Sequence, residues 1–397
     1  MPVEPTAGAG FDEICPRPAE LPPQPTVPAA PAIWPAAVYR CASPAQAEQL
    51  LSGELAGYVY SRDGHPNAAL LAQKCRELHR ADQAAVCSSG MAALALAAVS
   101  LLKNGDHVVV SDQLYGRSGQ LFVNELPRLG IECASVDTCD LAATAAALRP
   151  ATQLLVAETI TNPLLRVSDI QALADLAHGR GARLLIDNTF ATPIVCQPLA
   201  WGADLVVESL TKLMNGHSDV LLGLLCGRDD VWSRVAAAQS TWGWSAGAFD
   251  CWLALRGIGT LALRAERAIA NAAAAAEFLL GQEKVSRVDY PGLPEHADHG
   301  LAGRQFGGLF GNMVTFHLRG GLGEAERFIA AARSIPFCPS LGDLSTTLSH
   351  PAATSHRSLS PAERHRLGIG PATIRLSVGI ESSAAVLAAL AEGLAGV

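Results

Sequence analysis

Between residues 83 and 208 the chain repeats one pattern: a short apolar run, a polar break, then a longer stretch with apolar positions at helical spacing. The short runs are Ala84–Cys87, His107–Ser111, Glu132–Val136, Leu154–Glu158, Arg183–Asp187 and Asp204–Glu208. They are rich in valine, leucine and alanine, as strands buried on both faces should be. Asn67–His79, Met91–Leu102 and Gly119–Leu129 read as helices. Strands alternating with helices predict an α/β fold with a mostly parallel central sheet covered on both faces. After about residue 245 the pattern is helical over Phe249–Leu263 and Ala265–Leu280, with strands at Val285–Tyr290, Met313–Leu318 and Thr373–Val378. Helices over Gly323–Ala332 and Ser383–Leu394 complete a smaller α+β C-terminal domain. Residues 1–36 hold many prolines and alanines without periodicity and read as an extended arm or loose tail. The expected division is an arm over 1–60, a large domain over 61–250 and the small domain over 251–397.

Composition narrows the function classes. The net charge is −8 and no block of Lys and Arg stands out, so no nucleic-acid partner is expected. The longest charge-free apolar stretch, Met91–Leu102, is followed by Lys103 and Asp106 and is too short for a membrane span. No basic segment precedes an apolar one near residue 1, so no signal peptide is expected. Ten cysteines are scattered without a CxxC pair, which predicts neither a metal site nor a disulfide framework. Reduced thiols in a cytoplasmic protein are the expected state.

In parallel sheets, functional groups gather at the carboxyl ends of the strands. Glu158, Asp187 and the Ser209-Leu210-Thr211-Lys212 segment all fall there. A lysine just past a strand and flanked by hydroxyls suits attachment to an aldehyde cofactor, with the hydroxyls bonding phosphate oxygens; it could also be an ordinary surface lysine. Asp187 could keep a pyridine nitrogen protonated or cap the following loop. Ser88-Ser89-Gly90-Met91 turns from strand to helix, where free N–H groups bind phosphate or a serine simply caps. Tyr115 could stack on a flat ring or anchor its loop. Arg62, in Tyr60-Ser61-Arg62, could pair with a phosphate or be solvated. Arg375, inside the apolar strand Ile374–Val378, needs a partner: a substrate carboxylate or a structural ion pair.

Together these segments resemble the Cys/Met-metabolism family of pyridoxal 5′-phosphate (PLP) enzymes, which includes cystathionine γ-synthase, the cystathionine lyases, methionine γ-lyase and the O-acylhomoserine sulfhydrylases. The resemblance runs collinearly from about Gly57 to Ile380. It is carried by Tyr60-Ser61-Arg62, Ser88–Ala93, Asp187–Pro193, Ser209–Lys212 with Asn215–Asp219, Tyr290–Pro294, Ser340–Asp343 and Arg375–Ile380. It implies the fold of PLP-dependent transferases (aspartate aminotransferase-like, fold type I), with residues 61–250 as the PLP-binding domain. It also implies a homotetramer built from dimers that share active sites.

Roles follow position by position. Lys212 would hold PLP as a Schiff base and move protons. Asp187 would pair with the ring nitrogen, and Tyr115 would stack on the ring and protonate the leaving group. Gly90, Met91, Ser209 and Thr211 would hold the phosphate, while Tyr60 and Arg62 would reach that of the neighbouring subunit. Asn162 would sit near the ring oxygen, and Ser340 with Arg375 would hold the substrate carboxylate. The implied activity is carbon–sulfur lysis of cystathionine, homocysteine or methionine by γ- or β-elimination. The alternatives are γ-replacement on an activated homoserine and a non-catalytic PLP-binding relative.

The sequence departs from the family at several points. His65-Pro66-Asn67 differs after the Tyr-Ser-Arg motif. Arg117 stands where methionine γ-lyases carry a cysteine, and could reach a second substrate carboxylate or point to solvent. Pro339 stands where cystathionine enzymes often carry a glutamate. The stretch His350-Pro351-Ala352 with Ser355-His356 looks more like methionine γ-lyases and sulfhydrylases.

Overall fold

The computed structural model describes residue 26, residues 28–357 and residues 359–397. The alternation of a pleated strand is plain in β4 (Thr152–Glu158), β5 (Arg183–Asp187) and β6 (Leu205–Glu208). Leu155, Ala157, Leu184, Ile186 and Val206 enter one core, while Leu154, Val156, Leu185, Leu205 and Val207 enter another. Helix α2 (Pro66–His79), which follows α1 (Pro44–Ser52), packs Leu71 and Cys75 into the first core. Helix α3 (Gly90–Leu101) packs Leu94, Leu96 and Ala97 into the second. The sheet is therefore covered on both faces, and its carboxyl edge is left to present polar groups.

The remaining strands of this sheet are β1 (Gln83–Cys87), β2 (His107–Ser111), β3 (Glu132–Val136) and β7 (Gly223–Gly227). The order is β1-β7-β6-β5-β4-β2-β3. Strands β6, β5, β4, β2 and β3 run parallel, whereas β7 is antiparallel to β6 and β1. Strand β7 was not anticipated. Its three apolar residues lie between two glycines, which weaken a strand pattern. Gly223 is required there, because a Cβ would collide with the carbonyl of Ser89.

A second sheet, of order β10-β11-β9-β8, is antiparallel throughout. It comprises β8 (Val285–Asp289), β9 (Met313–Leu318), β10 (Thr347–Ser349) and β11 (Thr373–Ser377). Its core is shared with the helices Leu261–Leu280, Leu322–Ala331 and Ser383–Ala395. The three-residue β10 is too short to leave a period. Cys251, Ala254, Ile258, Leu261 and Ala265 pack with the first core of the main sheet.

Two helix expectations need correction. The single helix expected over Gly119–Leu129 is three short turns: Gly116–Gln120 (α), Leu121–Glu125 (π) and Leu126–Leu129 (3-10). Pro127 lacks the N–H an α-helix would need there, and its ring would strike the preceding turn. The break expected near Arg264 instead falls at Gly259-Thr260, between the helices Ala248–Ile258 and Leu261–Leu280.

Of the expected arm, residues 1–25 and 27 lie outside the described residues. The rest is mostly irregular apart from α1 and a bridge between Val38 and Tyr60. No helix among the described residues is long and apolar enough to cross a membrane. The nine described cysteines are unpaired.

Candidate active site

The loops after β2, β4, β5 and β6 converge on a cavity of about 650 Å³. Gly90, Met91, Tyr115, Asn162, Asp187, Ser209, Thr211, Lys212, Ser340 and Arg375 all line it. Tyr60 and Arg62 do not. Arg62 lies over the Tyr60 ring, 5.0 Å from its centroid, and pairs at 3.9 Å with Asp63 on the surface. One chain thus assembles ten of the twelve residues singled out by sequence.

Asp187 is the last residue of β5, and its Oδ1 accepts from the backbone N–H of Thr189 at 3.0 Å and its hydroxyl at 2.6 Å. The Thr189 hydroxyl in turn accepts from the backbone N–H of Ser209 at 2.9 Å. The strand-β5 acid and the segment after β6 are therefore locked together, with Oδ2 left to the cavity. Burial raises the Asp187 pKa, and the two Thr189 bonds oppose that rise by favouring the carboxylate.

Lys212 Nζ donates to Ser340 Oγ at 2.9 Å. Burial, and then the neighbouring Arg375 charge, lower the Lys212 pKa. Such an amine is neutral at a lower pH than a surface lysine and can accept a proton. Its backbone is held from two sides. Arg264 donates to the carbonyls of Leu213 and Met214 at 2.8 and 3.0 Å. Gly342, with φ +76°, lies so close that a Cβ would strike Leu213 N and stand 2.9 Å from Leu213 Cα.

Arg375, on β11, brings the second sheet into the site. It is only 4 % exposed; one Nη donates to Asn162 Oδ1 at 2.8 Å and the other to the Ser340 carbonyl at 3.0 Å. Its Nε has no partner, and burial pushes the guanidinium pKa down to about 10. A buried cation with an unused donor at a cavity wall calls for an anion.

Also lining the cavity, Ser89 caps α3 by accepting from Ala92 N at 3.1 Å, and Gly90 approaches Ser209 so closely that a Cβ would lie 3.0 Å from Ser209 Cβ. This Gly90–Ser209 corner at a helix N-terminus suits a phosphate. The Thr211 hydroxyl, although at the cavity wall, is engaged by both backbone groups of Leu222, at 3.2 and 3.1 Å.

Glu158 was placed at a strand end by sequence but given no role. It pairs in register with Asp187, and its Oε1 accepts from Tyr115 N at 2.6 Å. Burial and then the Asp187 charge raise its pKa well above the usual range. An acid closing an apolar strand is the signal it shares with Asp187.

The family model described as "Cys/Met metabolism PLP-dependent enzyme" matches residues 21–395. The chain belongs to this family. It is 42 % identical to an O-succinylhomoserine sulfhydrylase of Pseudomonas aeruginosa, over 90 % of this chain and 88 % of that one. It is 37 % identical to an L-methionine gamma-lyase of Porphyromonas gingivalis, over 88 % of each chain. The crystal structure of a cystathionine gamma synthase of Xanthomonas oryzae pv. oryzae, in complex with aminoacrylate and cysteine, superposes with a TM-score of 0.87 at 34 % identity, covering 92 % of both chains. PLP is thus the cofactor, and the fold is the α/β fold expected. The cavity fits it: a carboxylate with one free oxygen, a lysine amine, and a glycine corner at a helix N-terminus stand around one space.

Proposed function

We propose that the chain is a PLP-dependent enzyme of carbon–sulfur chemistry at the side chain of a sulfur amino acid or homoserine derivative. The observation that carries this reading is the convergence of Lys212, Asp187 and Arg375 on one cavity. Lys212 would anchor the cofactor and Asp187 would hold the ring nitrogen in its protonated state. Tyr115 would stack on the ring, with Asn162 beside its oxygen. Gly90, Met91, Ser209 and Thr211 would surround the phosphate. When bound, PLP withdraws electrons from the α-carbon of an attached amino acid. Arg375 and Ser340 orient the substrate carboxylate. Once the substrate amine has displaced it from the cofactor, the Lys212 amine takes the α-proton and hands protons on along the side chain. The Tyr115 hydroxyl supplies a proton to the departing group.

Elimination from cystathionine, homocysteine or methionine is the first reading. It uses the same residues as γ-replacement on an activated homoserine. The second reading is favoured by one comparison: the sulfhydrylase, a replacement enzyme by name, is more similar to this chain (42 %) than the methionine gamma-lyase (37 %). Incubation with each substrate separates the two. Keto acid and ammonia from a sulfur amino acid alone mark elimination. Thioether or homocysteine formed from an acylhomoserine and a thiol marks replacement. No turnover of any of these would refute the reading.

The surface position of Tyr60 and Arg62, away from the cavity of their own chain, supports a homotetramer of dimers in which they complete the phosphate site of a neighbour. We further propose a cytoplasmic enzyme divided into an arm (1–60), a PLP-binding domain (61–250) and a C-terminal domain (251–397).

A further inference from the structure

Glu158 closes β4 at the cavity, 5 % exposed and beside Asp187. A second buried acid at that place is unfavourable. No basic side chain lies within ion-pair distance of it among the described residues, and its register neighbour is another carboxyl group. Such a group is tolerated only where its oxygens are engaged. Oε1 accepts from the Tyr115 N–H at 2.6 Å, and the backbone N–H of Asn162 also favours the carboxylate.

The two ends of the Glu158–Tyr115 bond are held with unequal firmness. On one side, β4 pairs with β5 through Glu158 and Asp187. The Glu158 carbonyl accepts from the buried Ser168 hydroxyl at 2.7 Å, and the Ser168 carbonyl accepts from Gln305 at 3.1 Å. On the other side, Tyr115 is 41 % exposed and precedes a helix of only five residues, Gly116–Gln120. Its carbonyl accepts from Gly119 N at 2.9 Å, which closes that turn without tying it to the sheet. The Glu158 bond fixes the peptide plane between Leu114 and Tyr115. With the helix that begins at Gly116, that plane sets the direction in which the Tyr115 ring leaves the chain.

We infer that Glu158 is a positioning residue: through the Tyr115 N–H it aims the Tyr115 ring at the cavity, in fixed relation to Asp187 on the neighbouring strand. The inference rests on the proposed stacking of Tyr115 on the cofactor ring. It assigns Glu158 no proton transfer.

The test compares Glu158→Gln, which keeps an acceptor for the Tyr115 N–H, with Glu158→Met, which fills similar space without an oxygen. Tyr115→Ala and the Glu158→Met/Tyr115→Ala double variant complete a cycle. The rate of PLP release on dilution and the visible circular dichroism of the bound cofactor are read on each holoenzyme. Glu158→Met should release PLP about 10-fold faster than the wild type, the worth of one buried hydrogen bond, with an altered dichroism. Glu158→Gln should stay within about 3-fold of the wild type. In the Tyr115→Ala background Glu158→Met should add less than about 2-fold, because no ring is left to aim. A merely structural role would add the same factor in both backgrounds. That result, or a Glu158→Met protein indistinguishable from Glu158→Gln, overturns the inference.

A second measurement needs no variant. In the wild-type holoenzyme the Tyr115 amide should exchange its hydrogen at least about 100-fold more slowly than an open-chain amide, although the side chain is exposed. Exchange at the open-chain rate overturns the inference. If the amide is protected but Tyr115→Ala releases PLP as slowly as the wild type, the stacking fails and the Glu158–Tyr115 bond stands. If Tyr115→Ala releases PLP faster and Glu158→Met does not, the stacking stands and the inference falls.

Discussion

Gly342 links the two sheets beside Lys212, and replacing it with alanine tests that link. The residue has φ +76°, and a Cβ would strike the backbone of Leu213, the residue after Lys212. It cannot retreat freely, because its N–H donates to Ser377 Oγ on β11 at 2.8 Å. Holding an alanine in the left-handed region costs roughly 1–2 kcal/mol. Forcing it into packed backbone costs roughly 1–3 kcal/mol more. Gly53 supplies the control, since it has φ +80° with nothing within 4 Å of a Cβ, so Gly53→Ala carries the first cost alone. At roughly 2.1 cal/mol/K per residue, a chain of 397 residues shifts by about 1.2 °C per kcal/mol, so the thermal midpoint of Gly342→Ala should lie roughly 1–4 °C below that of Gly53→Ala. The loop must shift to relieve the clash, and Ser340 shifts with it, away from Lys212 Nζ. Gly342→Ala should therefore also lose cofactor affinity and kcat, while Gly53→Ala retains both. Equal midpoints and equal cofactor affinity in the two variants would refute the reasoning.

Four further outcomes follow from the same geometry. Asp187→Asn removes the carboxylate proposed to pair with the ring nitrogen and should lower kcat about 100- to 1,000-fold, with Thr189→Val giving a smaller loss; wild-type kcat in Asp187→Asn would contradict the pairing. Arg375→Gln removes the charge that is the second cause of the lowered Lys212 pKa. In cofactor-free protein the Lys212 pKa should then rise, so labelling by an amine-reactive reagent should set in at higher pH than in the wild type. Mixing inactive Arg62→Ala and Lys212→Ala subunits should restore up to about one quarter of wild-type activity if dimers share sites, and none if each chain uses its own Arg62. Glu208 and His79 form a fully buried pair, 3.4 Å apart, and Asn188 donates to the same Glu208 oxygen at 2.9 Å. Burial lowers the His79 pKa to about 4 and raises that of Glu208, so both shifts favour the uncharged forms; Glu208→Ala takes the acceptor from the buried Asn188 amide and should lower stability by about 1–3 kcal/mol, read from denaturant or thermal unfolding.

Much of this arrangement is legible in the sequence because burial on both faces leaves so little freedom. Val206, Val207, Ile186 and Leu185 can only be a doubly covered strand, and the polar residues that close such strands can only face the carboxyl edge. That logic places Asp187 and Lys212 in the cavity, and it would have given Glu158 a role had its register with Asp187 been known. It misses β7, where the apolar run is short and Gly223 is needed only because Ser89 passes close by. It also misses the fracture of residues 119–129 at Pro127, where a period of helical length survives three different turn types. That Arg117 and Arg357 line the same cavity is invisible to any local pattern, since the Gly116–Ser355 approach joins distant segments. Tyr60 and Arg62 match the family motif yet stand outside the cavity of their own chain, which no local pattern announces.

The most direct test of the central claim is the visible absorbance of the purified protein beside its Lys212→Ala variant, each supplied with PLP. The wild type should be yellow, with a band that shifts when a sulfur amino acid or an acylhomoserine is added, and the variant should lack that band. A wild-type protein that stays colourless after reconstitution, or a variant with an unchanged spectrum, would contradict the assignment of Lys212 as the residue that holds the cofactor.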